Sequence, residues 1–341
     1  MTDAQVVGAT AAEARPGDAG GDFDALTATV ARLQQAIETV IEGKSEVIRT
    51  TLTVLFAGGH LLLEDVPGVG KTMLSKTLAR AIDGSVRRIQ FTPDLLPSDV
   101  TGVSIFNQDT RTFEFRPGGV FANIVVGDEI NRASPKTQSA LLECMEERQV
   151  TVDNATHHLD DPFMVIATQN PIEMEGTYPL PEAQRDRFMA RVSIGYPVPA
   201  AELAMLAGHT RIDPLDEVEP VTSAAEVAKL VEVVRGVHVA SSLYRYAVDI
   251  VAATRRSPDL RLGASPRATL HLVRAAKAWA ALEQRDYVVP DDVQRLVVPV
   301  LSHRLLMSPE AAMGGRTAEQ VLAAVLTAVP APSTSGNHGG D

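Results

Sequence analysis

Apolar residues recur with a helical period at the start of this chain, with strand-like patterns through its middle, and with a helical period again toward its end. Residues 1–21 hold mostly Ala, Gly, Thr and Asp. Val6 and Val7 are their sizeable apolar groups, too few to offset the entropy of ordering, so a disordered tail is expected. From Asp22, read as an N-cap, Phe23, Leu26, Val30, Leu33 and Ile37 share one helical face. The turn Val40-Ile41-Glu42-Gly43 ends that helix, and a second, over 45–57, leads into the run Leu61-Leu62-Leu63, a strand. A helical pattern follows through Met73, Leu74, Thr77 and Leu78, ending near Asp83-Gly84.

Strands are expected at 86–91, at 121–126 and at 163–168, the last two so continuously apolar that they read as buried central strands of a parallel sheet. Between the first two, alternation at Val103, Ile105, Phe113 and Phe115 around a polar turn predicts a hairpin insertion over 103–115, with Phe106 exposed on it. Ser134-Pro135 starts a helix as N-cap and N1 proline, running to about Arg148. A second hairpin is expected at 150–152 and 157–159. Its His157 and His158, as strand neighbours, point to opposite faces and do not form a ligand set.

Beyond Tyr196-Pro197-Val198-Pro199 the patterns are helical: 201–208, 224–234, 243–253, 266–282, 291–301 and 318–329. The reading is an α/β domain over 22–197 built on a parallel sheet, an all-α lid domain over 198–329, and a second disordered tail over 330–341.

Chemistry concentrates where those strands end. Leu61-Leu62-Leu63-Glu64-Asp65 runs into Val66-Pro67-Gly68-Val69-Gly70 and then Lys71-Thr72-Met73, which is strand, glycine-bearing loop and helix N-terminus. Backbone N–H groups from Pro67-Gly68-Val69-Gly70 and the first helical turn can converge on phosphate. Lys71 then supplies positive charge, and the Thr72 hydroxyl reaches a magnesium ion. A nucleoside triphosphate is the implied ligand. The strict pattern asks for glycine where Asp65 stands, which puts in question how the chain enters the loop rather than the loop's chemistry. Ile41 and Gly43 stand where many nucleotide-binding ATPases pack a turn on adenine; core packing explains them equally well.

Asp128-Glu129 falls at the carboxyl end of a strand, where open α/β sheets bind ligands. Beside a phosphate loop, Asp128 holds the magnesium's water shell and Glu129 orients and polarises the attacking water. Asn170, at the end of the next buried strand, can bond the γ-phosphate or that water. Arg187 follows a short helix and would sit at a subunit edge in a ring, as a finger offered in trans, with Arg185 the rival candidate. Arg267 lies in the first turn of a helix capped by Ser265-Pro266, where a cation opposes the helix dipole and a bound phosphate or a local carboxylate must compensate it.

Composition narrows the partners. The 341 residues include 43 acidic and 31 basic side chains, a formal net charge of -12, which opposes a large nucleic-acid footprint. The lone cysteine, Cys144, reads as a small core residue beside Leu141 and Met145 and excludes an internal disulfide. No run approaches a membrane span and no signal-peptide pattern opens the chain, so the cytoplasm is the expected compartment.

The runs Leu63-Glu64-Asp65-Val66-Pro67-Gly68-Val69-Gly70-Lys71-Thr72, Gly127-Asp128-Glu129-Ile130-Asn131-Arg132-Ala133, Ala167-Thr168-Gln169-Asn170-Pro171, Leu180-Pro181-Glu182-Ala183-Gln184-Arg185-Asp186-Arg187-Phe188 and Gly263-Ala264-Ser265-Pro266-Arg267 together resemble the AAA+ ATPases, and within them the MoxR family, over about residues 23–329. The resemblance implies Walker A at 65–72, Walker B at Asp128 and Glu129, sensor 1 at Asn170, the arginine finger at Arg187 and sensor 2 at Arg267. It also implies a P-loop NTPase (AAA+) core, a homo-hexameric ring and the hairpin as an insertion in the second helix of the core. The expected role is an ATP-driven chaperone acting on a protein client, usually with a von Willebrand factor A domain partner. Two other functions compete. A nucleic-acid motor would draw on the lid bases Arg255, Arg256, Arg261, Arg274 and Lys277; a nucleotide-gated, non-catalytic scaffold would have no need of Glu129.

Overall fold

The computed structural model describes residues 19–65, 68–170, 177–196 and 214–332. Five parallel strands form the central sheet: β1 (Leu61–Glu64), β2 (Val86–Gln90), β5 (Ile124–Asp128), β8 (Met164–Gln169) and β9 (Ala190–Val192), in the order β2-β5-β8-β1-β9. The alternation of side chains along each strand divides the interior into two layers. Leu61, Leu63, Ile124, Met164 and Ile166 face one cluster, and Leu62, Val125, Val165 and Ala167 face the other.

Against the first face pack α1 (Ala19–Glu38), α2 (Ser45–Phe56) and α3 (Lys71–Ala81); against the second packs α5 (Pro135–Glu147). Between them α4 (Pro97–Thr101) precedes the insertion hairpin, β3 (Gly102–Asn107) and β4 (Thr112–Pro117), whose register pairs Phe106 with Phe113. Those rings meet edge to face at 5.3 Å on the surface. The second hairpin, β6 (Gln149–Val152) and β7 (Ala155–His158), leans on the first through His157, which stacks on Phe115 at 3.8 Å. A short α6 (Glu182–Arg185) precedes β9.

The lid comprises α7 (Ala224–Arg235), α8 (Ser241–Arg256), α9 (Pro266–Leu282), α10 (Pro290–Leu301), α11 (Pro309–Met313) and α12 (Ala318–Ala328). Its core is continuous with the first face of the sheet, through α1 and α2. Trp279 marks that seam: Arg49 of α2 and Arg295 of α10 lie over its ring at 4.7 and 5.1 Å.

The strand-free reading of the lid needs one amendment, because β10 (Leu260–Leu262) and β11 (Leu306–Met307) form a small antiparallel ladder. Asp22 is not an N-cap, since α1 already begins at Ala19. The central strand expected from Phe121 begins only at Ile124. Just before it, the Asn123 carboxamide accepts from Ser85 N and Oγ and donates to Pro162 O, tying three strand starts together. The helix expected at 201–208 lies outside the described residues.

Candidate nucleotide site and arginine cluster

The turn between β1 and α3 reverses over two glycines in the left-handed region, Gly68 at φ +83° and Gly70 at φ +89°. A side chain at Gly68 would meet nothing, so backbone conformation and not space is what requires glycine there. Gly70 is the N-cap residue of α3, which leaves the helix's first N–H groups facing outward beside it. Pro67 lies outside the described residues. Around this N-terminus a cavity of about 240 Å³ is lined by Gly68, Gly70, Lys71, Thr72, Met73, Arg88, Gln90, Asp128, Glu129, Thr168 and Asn170. Of the predicted residues, Gly68, Gly70, Lys71, Thr72, Met73, Asp128, Glu129 and Asn170 therefore share one space.

Adjacent parallel strands bring the acidic and polar groups there. Asp128 ends β5, Thr168 lies near the end of β8, and Asn170 follows it. Thr168 Oγ1 donates to Asp128 Oδ1 at 3.1 Å and accepts from Glu129 N at 2.9 Å, so one hydroxyl aligns both acidic residues. Glu129 sits at φ +56°, a left-handed conformation that costs a non-glycine residue about 1 to 3 kcal/mol. Its carboxylate accepts from Gln90 Nε2 at 3.0 Å and Arg132 at 2.8 Å. Asp128 Oδ2 accepts from Arg88 Nε at 2.6 Å and from Thr72 Oγ1 at 3.4 Å. A hydroxyl and a carboxylate oxygen on one side of the cavity are the hard oxygen donors that suit magnesium. Lys71 Nζ donates to Asp65 O at 2.8 Å. Burial lowers the Lys71 pKa, while Asp65, Asp128 and Glu129 pull it the other way.

Asp65, the departure from the strict loop pattern, is buried, and its Oδ2 accepts from Ser193 Oγ at 3.0 Å and Gly195 N at 2.6 Å. It fastens the segment after β9 to the start of the phosphate loop. Ile41 reaches the loop from the end of α1: its Cδ1 lies 3.9 Å from where a Cβ on Gly70 would stand. Val69 and Met73 pack against the same cluster as Ile41. Gly43 holds a left-handed turn at φ +70°.

Arg187 and Arg267 are elsewhere. They line a second cavity of about 300 Å³ with His60, Glu146, Arg148, Leu270, His271 and Arg274, sharing no residue with the first; Arg185 is not in its lining. Glu146 accepts from both, from Arg187 Nε at 3.1 Å and from Arg267 at close range. A local carboxylate thus compensates the cation in the first turn of α9. Several lid bases of the motor reading are engaged internally: Arg255 with Ala264 O, Arg274 with Ala57 O and Gly58 O, and Lys277 with Arg235 O.

Sequence reasoning missed Arg88 and Gln90. Neither belongs to a motif, and their place became visible only once β2 paired with β5, setting Gln90 opposite Asp128.

A glycine turn at a helix N-terminus, a carboxylate pair and a polar residue at neighbouring parallel strand tips, and a helical lid define a P-loop ATPase of the AAA+ type. Residues 60–190 match the family model "ATPase family associated with various cellular activities (AAA)", and residues 252–325 match "AAA lid domain". The chain is 41% identical over 335 residues to Chaperone MoxR1 of Mycobacterium tuberculosis, covering 95% of this chain and 87% of that one. It is 51% identical over 296 residues to the uncharacterized protein YeaC of Bacillus subtilis, covering 87% and 92%. A crystal structure of a protein from Cytophaga hutchinsonii superposes with a TM-score of 0.85 at 38% identity, covering 93% of this chain and 98% of that one. The chain belongs to the MoxR family of AAA+ ATPases.

Proposed function

We propose that this protein hydrolyses ATP, with magnesium, as a homo-hexameric ring, and uses the cycle as a chaperone that remodels a protein client together with a von Willebrand factor A domain partner. One observation carries the hydrolytic part: Lys71, Thr72, Asp128, Glu129 and Asn170 line the same cavity at the N-terminus of α3. Gly68, Val69 and Gly70 and the first turn of α3 would hold the phosphates by their N–H groups, with Ile41 and Gly43 beside the base. Thr72 and Asp128 would hold magnesium, which supplies charge neutralisation between the outer phosphates. Glu129 orients the attacking water and accepts its proton, and Asn170 positions water or γ-phosphate.

In this reading Arg187, the finger, and Arg267, the lid sensor, act on a neighbouring subunit's nucleotide, which is consistent with their lining a cavity apart from Lys71. Such fingers contribute roughly 10³ to 10⁵ in rate. Chaperone work is supported by the name of the mycobacterial relative. Among the described residues no helix is long and apolar enough to cross a membrane, and we assign the activity to the cytoplasm.

Glu129→Gln is the test. It should keep ATP binding and ring assembly and lose turnover by at least about 100-fold, within the range general-base removal produces. Hydrolysis at the parent rate would remove Glu129 from its role. The same variant, held with ATP, should co-purify with the client.

A further inference from the structure

Arg304 closes the 3-10 turn Ser302–Arg304, and its side chain is 2% exposed. An apolar residue would fill that space without the desolvation that a buried guanidinium suffers, so its presence calls for a geometric reason. Its contacts supply one. Nε donates to Asp186 Oδ1 at 2.7 Å; one terminal nitrogen reaches Asp186 O at 3.0 Å, Phe188 O at 2.6 Å and His271 Nδ1 at 2.6 Å; the other reaches Met189 O at 3.3 Å and also Val300 O. The two carbonyls at Asp186 and Phe188 flank Arg187. His271 lies on α9, one turn beyond Arg267. Burial and the neighbouring arginines push the His271 pKa down to about 2, so its Nδ1 is free to accept. Asp186 completes the link: its Oδ2 accepts at 2.8 Å from Ser265 Oγ, and Ser265 is the N-cap residue of α9.

We propose that Arg304 is a positioning residue for hydrolysis in the neighbouring subunit: it locks the segment carrying Arg187 to the helix carrying Arg267, so that both guanidinium groups are presented to one phosphate as a single unit. Asp186 is its counter-ion and Ser265 the second tie. The inference rests on the reading that Arg187 and Arg267 serve a neighbour's nucleotide. A guanidinium spreads five N–H donors over three separated nitrogens, so Arg304 meets the Asp186 carboxylate with Nε, Phe188 O with one terminal nitrogen and Met189 O with the other; an ammonium has its three donors on one nitrogen and cannot span those positions.

Arg304→Lys keeps the charge and removes the fan of donors. We expect kcat to fall about 10- to 100-fold, as misplacement of about 1 Å produces, with the affinity for a fluorescent ATP analogue within about twofold of the parent. Mixing Arg304→Lys with Lys71→Ala subunits should restore activity, because the first keeps an intact nucleotide pocket and the second an intact arm; damage to the subunit's own site or fold is not restored by mixing. Parent-like kcat, or a loss that mixing leaves in place, overturns the role. Arg187→Ala mixed with Lys71→Ala separates the two levels. Rescue there but not with Arg304→Lys overturns the positioning role alone, and no rescue there overturns the in-trans reading beneath it. Should Arg304→Lys fail to fold, Ser265→Ala, which leaves the buried charge pair intact, carries the same test. It should lose at least about threefold in kcat, recovered on mixing as above; parent-like kcat overturns the proposal.

Discussion

Replacing Asp65 by glycine would restore the strict P-loop pattern, and the structure says it should damage the protein. Asp65 is 8% exposed, and its carboxylate accepts from Ser193 Oγ at 3.0 Å and Gly195 N at 2.6 Å. Hydrogen bonds to a charged acceptor contribute about 1.5 to 3 kcal/mol each, and glycine's extra backbone freedom removes about 0.5 to 1 more. Asp65→Gly should therefore lose about 3.5 to 7 kcal/mol. At about 1.4 °C per kcal/mol, from an unfolding entropy of about 2.1 cal/mol/K per residue over 341 residues, the melting midpoint should fall by roughly 5 to 10 °C. Asp65→Asn, keeping one acceptor oxygen, should lose about half as much. The same substitutions should weaken ATP binding, since the segment after β9 no longer anchors the start of the loop and one of the carboxylates supporting the charged form of Lys71 is gone. Thermal melts followed by circular dichroism, with titration of a fluorescent ATP analogue, measure both effects. A glycine variant that melts within 2 °C of the parent or binds ATP more tightly would refute the anchoring role.

Two further outcomes follow from buried titratable groups. His60 Nε2 meets Met145 O and its Nδ1 accepts from Val165 N, so only the neutral ring fits, and burial pushes its pKa down to about 3. The stabilisation is whole above the unfolded value near 6.5 and is lost as pH falls toward 3, at up to about 1.4 kcal/mol per unit. Between pH 7 and pH 5, urea titrations should show His60→Gln losing about 2 kcal/mol less than the parent; equal losses would sink the assignment. Cys144 is buried in α5 and its thiol is pushed up to about 12, so a thiol reagent at pH 8 should label it only on unfolding. Labelling at the rate of a free cysteine would contradict that placement.

Where a feature depends on residues close together in the chain, it was legible. The glycine turn into α3 needs a few positions, as do the Ser134-Pro135 and Ser265-Pro266 helix starts. Alternation placed both hairpins, and the apolar runs marked β5 and β8 as central because strands buried on both faces tolerate few polar residues. Boundaries slipped where a side chain intervened, as Asn123 does before β5. The ladder of β10 and β11 went unseen because its strands are two or three residues long and lie more than forty positions apart.

By itself the sequence determined the class of fold, the phosphate loop and the strand tips that face it, because each is written in short-range pattern and backbone chemistry. Only the tertiary structure decided that Arg88 and Gln90 reach Asp128 and Glu129, that Arg187 and Arg267 meet on one carboxylate, and that Arg304 fastens them from behind. Those contacts join side chains as far as 121 positions apart, and a guanidinium's partners are chosen by which elements pack together rather than by its neighbours in the chain.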